Sequence, residues 1–516
     1  MRSNNLKSLL DIFKRNVQVH YEPKSRNGLN SISRRSFVKN SAMASMTLGI
    51  SSSILESCLS SGNKNTQPKV AIVGGGIAGL HAGHILGKSR INFTLFEASN
   101  RVGGRIFTVK NEFGENITTE LGGEFIDSNH EDMINLVNEF GLDLYDTDDD
   151  IKKNNLIKDT YFFTERHYTE NELIQEFSKY SKSIADDVQE VVELENEELI
   201  NKLDAISISE YLKSKGINGW LFELLTSAYT SEYGLESSEQ SSLNLVYMLN
   251  PDTKDGFKIF GDSDERFKII GGNSLLTEKM YEKLKDSVKL NTELSKITEE
   301  NGKYKLTFKN NDSSEFDFVI LAIPFSVLRK IDIQVALPDA KIKAIKELGY
   351  GTTSKIIYGV NERVWRDNKY SGYLFSNEIQ NGWDSSMGQN NNSGKGSYTV
   401  FLGGNLGKEV TKDNTTVHIQ KLNQIFLSKK EIFNNKKLVF NWSSYPYSLG
   451  GYSAYKVGQW STIAGKEKEP VNNLFFAGEH CSEDFQGYMN GGAETGRLAA
   501  EAVIKKLQEI SEPKQK

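Results

Sequence analysis

At 516 residues the chain exceeds one ordinary hydrophobic core, so two intertwined domains are expected. Its net charge of −6 and pI near 5.8, without any basic aromatic-rich stripe, argue against a nucleic-acid partner. Two cysteines rule against a disulfide framework, and the seven scattered histidines form no Cys/His cluster of metal-ligand spacing, so no metal is expected.

The first element is an address. Ser33-Arg-Arg-Ser-Phe-Val-Lys39 precedes an apolar run, Ala42 to Leu55, too short and Ser-rich to span a bilayer. The pattern resembles twin-arginine export signals, which implies transport of a folded protein that acquired its cofactor inside the cell. Leu55-Glu-Ser-Cys58 resembles a lipoprotein cleavage site, although Glu56 fits it awkwardly. Residues 1–67 are thus expected to be signal and tether. The mature protein would be periplasmic, or a membrane-anchored lipoprotein facing the periplasm or outside, with Cys58 as the candidate lipid anchor.

Val70 to Gly79 reads as a β-branched strand running into a glycine triad. Gly74 permits the tight turn, Gly76 lets the backbone approach a pyrophosphate, and Gly79 lets a helix lie close on the strand. The helix start at Ile77 and Ala78 offers unpaired N–H groups to phosphate. Eighteen residues beyond Gly79, a second strand ends at Glu97-Ala98, an acid placed for a ribose diol. Arg101-Val-Gly103-Gly104-Arg105 suits a second approach to a diphosphate, with guanidinium groups sharing the charge. Alone it reads as a solvated turn. A further Gly-Gly block, Leu121-Gly122-Gly123-Glu124-Phe125, follows.

Glu131 to Phe140 is an amphipathic helix, and about 165 to 250 is helix-rich, with an acidic solvated stretch from Asp186 to Glu198. Strands are expected at Val288–Leu290, Tyr304–Phe308, Phe318–Ile323, Lys355–Val360, Tyr398–Leu402 and Leu474–Gly478, with a last helix from about Gly491 to Leu507. Gln389 to Ser397 is a Gly/Asn/Ser loop. Dinucleotide-type elements at the start, middle and end imply a cofactor domain assembled from 69–143, 268–343 and 445–508. Residues 144–267 and 344–444 then form a substrate domain, and 509–516 a polar tail.

From Lys69 to about Leu507 these pieces resemble the flavin-dependent amine oxidases: monoamine, polyamine and L-amino-acid oxidases. The resemblance implies an α/β fold, in which an FAD-binding Rossmann-like domain of glutathione-reductase type carries an inserted α+β substrate domain. It implies that the Leu294 backbone meets the adenine, within a segment begun by Gly271-Gly272. In the C-terminal block, Gly478-Glu479 would hold the sugar–phosphate portion, and Gly487-Tyr488-Met489 would bring the Met489 N–H to the ring carbonyl. Lys355 would hold a water against flavin N5, where its charge assists oxygen reduction. Trp442 would pack by the flavin, and Tyr488 would form one wall of an aromatic cage for the amine.

There are departures. The family's covalent cysteine position, after Gly450-Gly451, holds Tyr452, so FAD is expected to be non-covalent. The second cage position falls on Ser453, with a one-residue length difference blurring the alignment. Where L-amino-acid oxidases clamp a carboxylate with arginine, this chain has Phe125 beside Glu124. A carboxylate there would attract an ammonium if it faced the cavity; Glu124 turned to solvent or backbone is the equal alternative.

The implied reaction takes a small-molecule amine to an imine and then an aldehyde or ketone, with hydride transfer to flavin N5 and O2 reduced to hydrogen peroxide. The alternatives are an L-amino-acid oxidase, a flavin desaturase or isomerase of an apolar substrate, and a non-catalytic flavoprotein. A homodimer is left open.

Overall fold

The computed structural model describes residues 68–389, 394–411, 415–427 and 432–511. The export signal and Cys58 lie outside the described residues. Strand β1 (Val70–Val73), fully buried, runs into helix α1 (Ile77–Lys88), and β2 (Phe93–Phe96) returns parallel beside it. Three more strands complete a five-stranded parallel sheet, in the order Leu474–Phe476, Phe318–Leu321, β1, β2, Val288–Lys289. Its strands therefore come from three separated stretches of chain. Near-continuous apolar runs such as Phe-Val-Ile-Leu at 318–321 suit strands covered on both faces.

One face is covered by α1 and the long C-terminal helix, Met489–Ser511. Gly496 makes their crossing close: a Cβ there would stand 2.1 Å from the Ala78 carbonyl oxygen. The other face packs on a four-stranded sheet, ordered Ser313–Phe316, Lys303–Phe308, Leu294–Glu300, Asp332–Gln334.

A seven-stranded sheet forms the second layer of the molecule. Its order is Phe433–Asn441, Ser354–Val360, Gly396–Leu402, Gln380–Asp384, Tyr370–Ser376, Ile157–Phe163, Arg166–Tyr168. Only two of these strands were anticipated from the sequence, because Gln380–Asp384 and Ile157–Phe163 carry polar residues that obscure the pattern. Helices from Glu170 to Met248 pack against this sheet around Phe177, Leu224, Leu225 and Phe375. A short antiparallel pair, Leu144–Asp146 with Phe267–Ile269, ties the entry and exit of the helical region together.

Candidate active site

The carboxyl ends of β1, β2 and Phe318–Leu321 open onto a cavity that continues to the face of the seven-stranded sheet. This is where open parallel sheets bind ligands. At its narrow end, Gly74 turns with φ +109°, and a Cβ there would stand 2.4 Å from the Ala322 carbonyl oxygen. Gly79 is packed still harder, its Cβ position only 1.9 Å from the Gly74 oxygen. At Gly76 the nearest atom to a Cβ is the Gly104 Cα at 3.9 Å, so its backbone faces the cavity uncovered. Helix α1 starts there with no side-chain cap, leaving its first N–H groups for an anion.

Glu97 is buried at the end of β2. It accepts from Gly75 N (2.7 Å) and from Ser99 N and Oγ (2.8 and 2.7 Å). Ala98 and Leu294 line the cavity beside it. Arg101 departs from expectation: its guanidinium donates to the Val102, Gly104 and Ile106 carbonyls and lies 3.9 Å over the Phe107 ring. It therefore braces the Gly103–Gly104 turn, and the turn's backbone faces the cavity.

Glu479 also departs from expectation. It accepts from Arg105 Nη1 (2.8 Å), Ser453 N (3.1 Å), Ser453 Oγ (2.8 Å) and Gly487 N (2.8 Å). Four donors occupy the acceptor sites of one carboxylate. Burial disfavours its charge, yet Arg105, His480 and these donors bring it below the ordinary value. It joins the loops that carry Gly478, Gly487 and Arg105 instead of presenting an open oxygen to a sugar.

The wide end is built on the second Gly-Gly block. A Cβ on Gly122 would stand 1.8 Å from the Arg105 oxygen, and one on Gly123 would stand 2.7 Å from Met489 Cγ. Trp442, buried, donates through Nε1 to the Leu121 carbonyl at 2.8 Å, so Leu121 lies behind the wall and Trp442 lines it. Lys355 lines it too, from the all-buried strand Ser354–Val360. Its Nζ donates to the Glu120 oxygen (3.1 Å), the Gly122 oxygen (2.8 Å) and Glu124 Oε2 (2.9 Å). All three of its protons are thereby engaged.

Glu124 is neither solvent-facing nor free to meet a substrate ammonium. Its Oε1 accepts from Lys268 Nζ at 2.7 Å, so it bridges two buried lysines. Burial opposes its ionisation, but the two ammonium groups hold it below the usual carboxylate range. Neighbouring Glu120, pushed up to about 7 by burial, donor contacts notwithstanding, feels the Glu124 charge as well.

Opposite, Phe125, Trp383, Tyr452 and Tyr488 line the cavity, Phe125 and Trp383 meeting edge to face at 5.6 Å. The aromatic ring of the turn after Gly451 is Tyr452, its hydroxyl donating to the Ser231 oxygen at 3.0 Å. Ser453 also lines the cavity, but its hydroxyl is spent on Glu479, so the expected second wall is one residue earlier. The Tyr488 hydroxyl donates to Glu232 Oε1 at 2.9 Å.

Glu232 belongs to a trio that the sequence reading missed. Asp127, Glu232 and Glu265 all line this end; the Asp127 charge raises the proton affinity of Glu232, and both raise that of Glu265. Burial is the larger cause: it pushes Asp127 up to about 6, Glu232 to about 7 and Glu265 to about 8. Glu265 sits at φ +48°, a left-handed backbone held by its N–H donating to Asp127 Oδ1 at 2.9 Å. The cavity's arginines, Arg101 and Arg105, stand at the phosphate turn; among the described residues none lines the acidic end.

The family model described as flavin containing amine oxidoreductase matches residues 77–504, and the chain belongs to that family. It is 24% identical over 460 residues to polyamine oxidase 4 of Oryza sativa subsp. japonica, covering 86% of this chain and 90% of the relative. It is 25% identical over 471 residues to an L-amino-acid oxidase of Gloydius halys, covering 85% and 89%. Among solved structures, cyclohexylamine oxidase from Brevibacterium oxydans IH-35A superposes with a TM-score of 0.73 at 19% identity, covering 86% of this chain and 100% of that one. Putrescine oxidase bound to putrescine gives 0.71 at 19%, covering 85% and 99%.

The cofactor of this family is FAD, and the residues present fit it. The uncapped start of α1, the open Gly76 backbone and the braced Gly103–Gly104 turn form a cradle for a diphosphate, with Glu97 at the ribose end. The protein is an FAD-dependent amine oxidase.

Proposed function

We propose that the substrate is a primary amine carrying a second cationic group, a diamine or polyamine, and that oxygen takes the electrons. The observation that carries this reading is the trio Asp127, Glu232 and Glu265 on the cavity that Lys355 and Trp442 also line. Three carboxylates that repel one another are stabilised by an ammonium entering among them. An L-amino acid, whose carboxylate would need a cation, finds no arginine at that end among the described residues.

When bound, FAD supplies the two-electron acceptor for the hydrogen leaving the carbon beside nitrogen. The chain orients the amine. The rings of Tyr452, Tyr488 and Trp383 accept a cationic head and tolerate its neutral, reactive form. The acids hold the far end of the molecule, which fixes which carbon is presented. Lys355, its protons engaged by Glu120, Gly122 and Glu124, acts as a fixed positive charge that favours oxygen reduction. The imine product hydrolyses to an aldehyde, and oxygen leaves as hydrogen peroxide.

Anaerobic mixing of the yellow protein with putrescine, n-butylamine and a panel of L-amino acids tests this. Putrescine should bleach the flavin fastest; bleaching confined to amino acids would refute the reading. Export is a separate part of the proposal, supported by Arg34-Arg35 and the apolar run after them. Replacing both arginines with lysine should strand the protein in the cytoplasm, as fractionation would show.

A further inference from the structure

The two oxygens of Glu124 answer to different lysines, and only one of those lysines reaches the cavity. Lys355 lines it; Lys268 is not part of the lining and stands behind Glu124 and Phe125, which are. Lys268 is the middle residue of the strand Phe267–Ile269, opposite Tyr145, so its side chain leaves the other face from Phe267 and Ile269. Its Nζ donates to Glu124 Oε1 at 2.7 Å and to the Ser385 carbonyl at 3.1 Å, and the residue is only 8% exposed. Lysine is almost never so buried unless paired. Here the pairing is with a carboxylate that already has a lysine of its own.

The consequence lies in the charge sum. Lys355 and Glu124 by themselves form a pair of zero net charge, which presents only a dipole to the cavity, and a dipole's field falls off faster than that of a net charge. Lys268 makes the sum two ammonium groups against one carboxylate, a net +1. Glu120 is the other acid of this cluster and feels both Glu124 and Lys268; burial pushes it up to about 7, so at pH 6 it holds its proton and leaves the sum at +1. The arrangement is also held from the backbone side. Asn273 Nδ2 donates to the Gly123 and Glu124 carbonyls at 2.9 Å each, which fixes the block that carries the carboxylate.

Resting on the reading above that oxygen takes the electrons, we infer that Lys268 is a positioning residue for the oxygen half-reaction: it holds Glu124 against Lys355 and supplies the unneutralised positive charge that the Lys355–Glu124 pair lacks. In that half-reaction O2 takes two electrons and one proton from the reduced flavin and a second proton from solvent, and leaves as hydrogen peroxide. The first electron turns a neutral molecule into an anion, which a net positive charge stabilises far more than a neutral pair does. The rings of Trp383 and Phe401, 5.0 and 5.9 Å from Lys355, and of Phe125, 5.5 Å from Lys268, keep water from screening the charge. The same charge favours adding electrons to the bound cofactor, so it raises the reduction potential.

Three variants of the FAD-loaded protein test this at pH 6. Lys268→Gln keeps a hydrogen-bond donor for Glu124 but brings the sum to zero. Lys268→Arg keeps donor and charge, and Lys268→Gln combined with Glu124→Gln leaves Lys355 alone, a sum of +1 again. Stopped-flow reoxidation of the reduced proteins by oxygen should slow about fivefold in Lys268→Gln and stay within about twofold of the parent in the other two. The FAD reduction potential, read by dye equilibration with neither oxygen nor amine present, should fall in Lys268→Gln alone. Should that variant not fold, Lys268→Met, also of zero sum and with Glu124 still paired to Lys355, takes its place. A zero-sum variant with unchanged rate and potential, or a double variant as slow as the single one, would overturn the assignment, because a second core substitution does not repair lost packing. A reduced parent protein that oxygen fails to reoxidise would sink the oxygen reading, while the series of potentials would still decide the role of Lys268.

Discussion

Lys355 Nζ stands 2.9 Å from Glu124 Oε2, while Lys268 Nζ stands 2.7 Å from the other oxygen of the same carboxylate. One buried anion thus bridges two buried cations directly under the second Gly-Gly block. Each ammonium also lies near an aromatic face, Lys355 5.0 Å from the Trp383 ring centre and Lys268 5.5 Å from that of Phe125. Glu124→Gln would leave two positive charges facing each other without their anion. It should cost about 3–5 kcal/mol in urea unfolding of the FAD-loaded protein. Lys355→Met, which leaves Glu124 paired with Lys268, should cost clearly less.

The same Lys355→Met protein separates the halves of the reaction. Its anaerobic flavin reduction by putrescine should stay within about threefold of the parent, because no donor of Lys355 is offered to the amine. Reoxidation by oxygen should slow by about tenfold or more, since a fixed charge beside developing negative charge is lost. Stopped-flow traces of the two half-reactions measure both.

Stability should fall as pH rises from about 6.5 to 8, the part of the acidic trio's range that lies above the ordinary histidine value. Glu265 at about 8, Glu232 at about 7 and Asp127 at about 6 all bind protons more tightly than in the unfolded chain, where they ionise near 4. Below about pH 6.5 the buried histidines, pushed down by desolvation, act in the opposite direction, but between about pH 6.5 and 8 the trio holds more protons in the folded state, and each rise in pH favours unfolding. A dication reverses this by replacing those protons. Thermal melts of the pre-reduced, FAD-loaded protein should show putrescine stabilising it more at pH 8 than at pH 6.

Gly104 combines φ +58° with a Cβ position 3.2 Å from the Gly76 Cα, where the two phosphate-facing turns meet. Gly104→Ala should strip FAD during gel filtration, giving a colourless protein. Gly302→Ala is the control: φ is +74° but nothing among the described residues stands within 4 Å. It should cost about 1 kcal/mol in stability and leave the protein yellow.

What could be read from the sequence was local. Gly74, Gly76, Gly79 and Glu97 lie within one strand–turn–helix–strand unit, so spacing alone carried their geometry. Lys355, Trp442 and Tyr488 were placed by register with a family, and the fold brings all three to one cavity. The side-chain partners were not legible. Arg101 and Glu479 are consumed by carbonyls and amides, and Glu124 meets Lys268 across 144 residues of sequence. The acidic trio has no motif at all. Asp127 follows Ile126, which makes an isolated bridge to Phe267, Glu232 sits near the end of the helix Gly219–Tyr233, and Glu265 precedes the strand Phe267–Ile269. Only the cavity unites them.

The most direct measurement is the ratio of kcat/KM for putrescine to that for n-butylamine, in the parent protein and in Glu232→Gln, Glu265→Gln and the double variant. A preference for putrescine of about a hundredfold or more, falling stepwise toward one as the carboxylates are removed, is the predicted result. A parent enzyme that prefers n-butylamine, or a putrescine preference untouched in the double variant, would contradict the account.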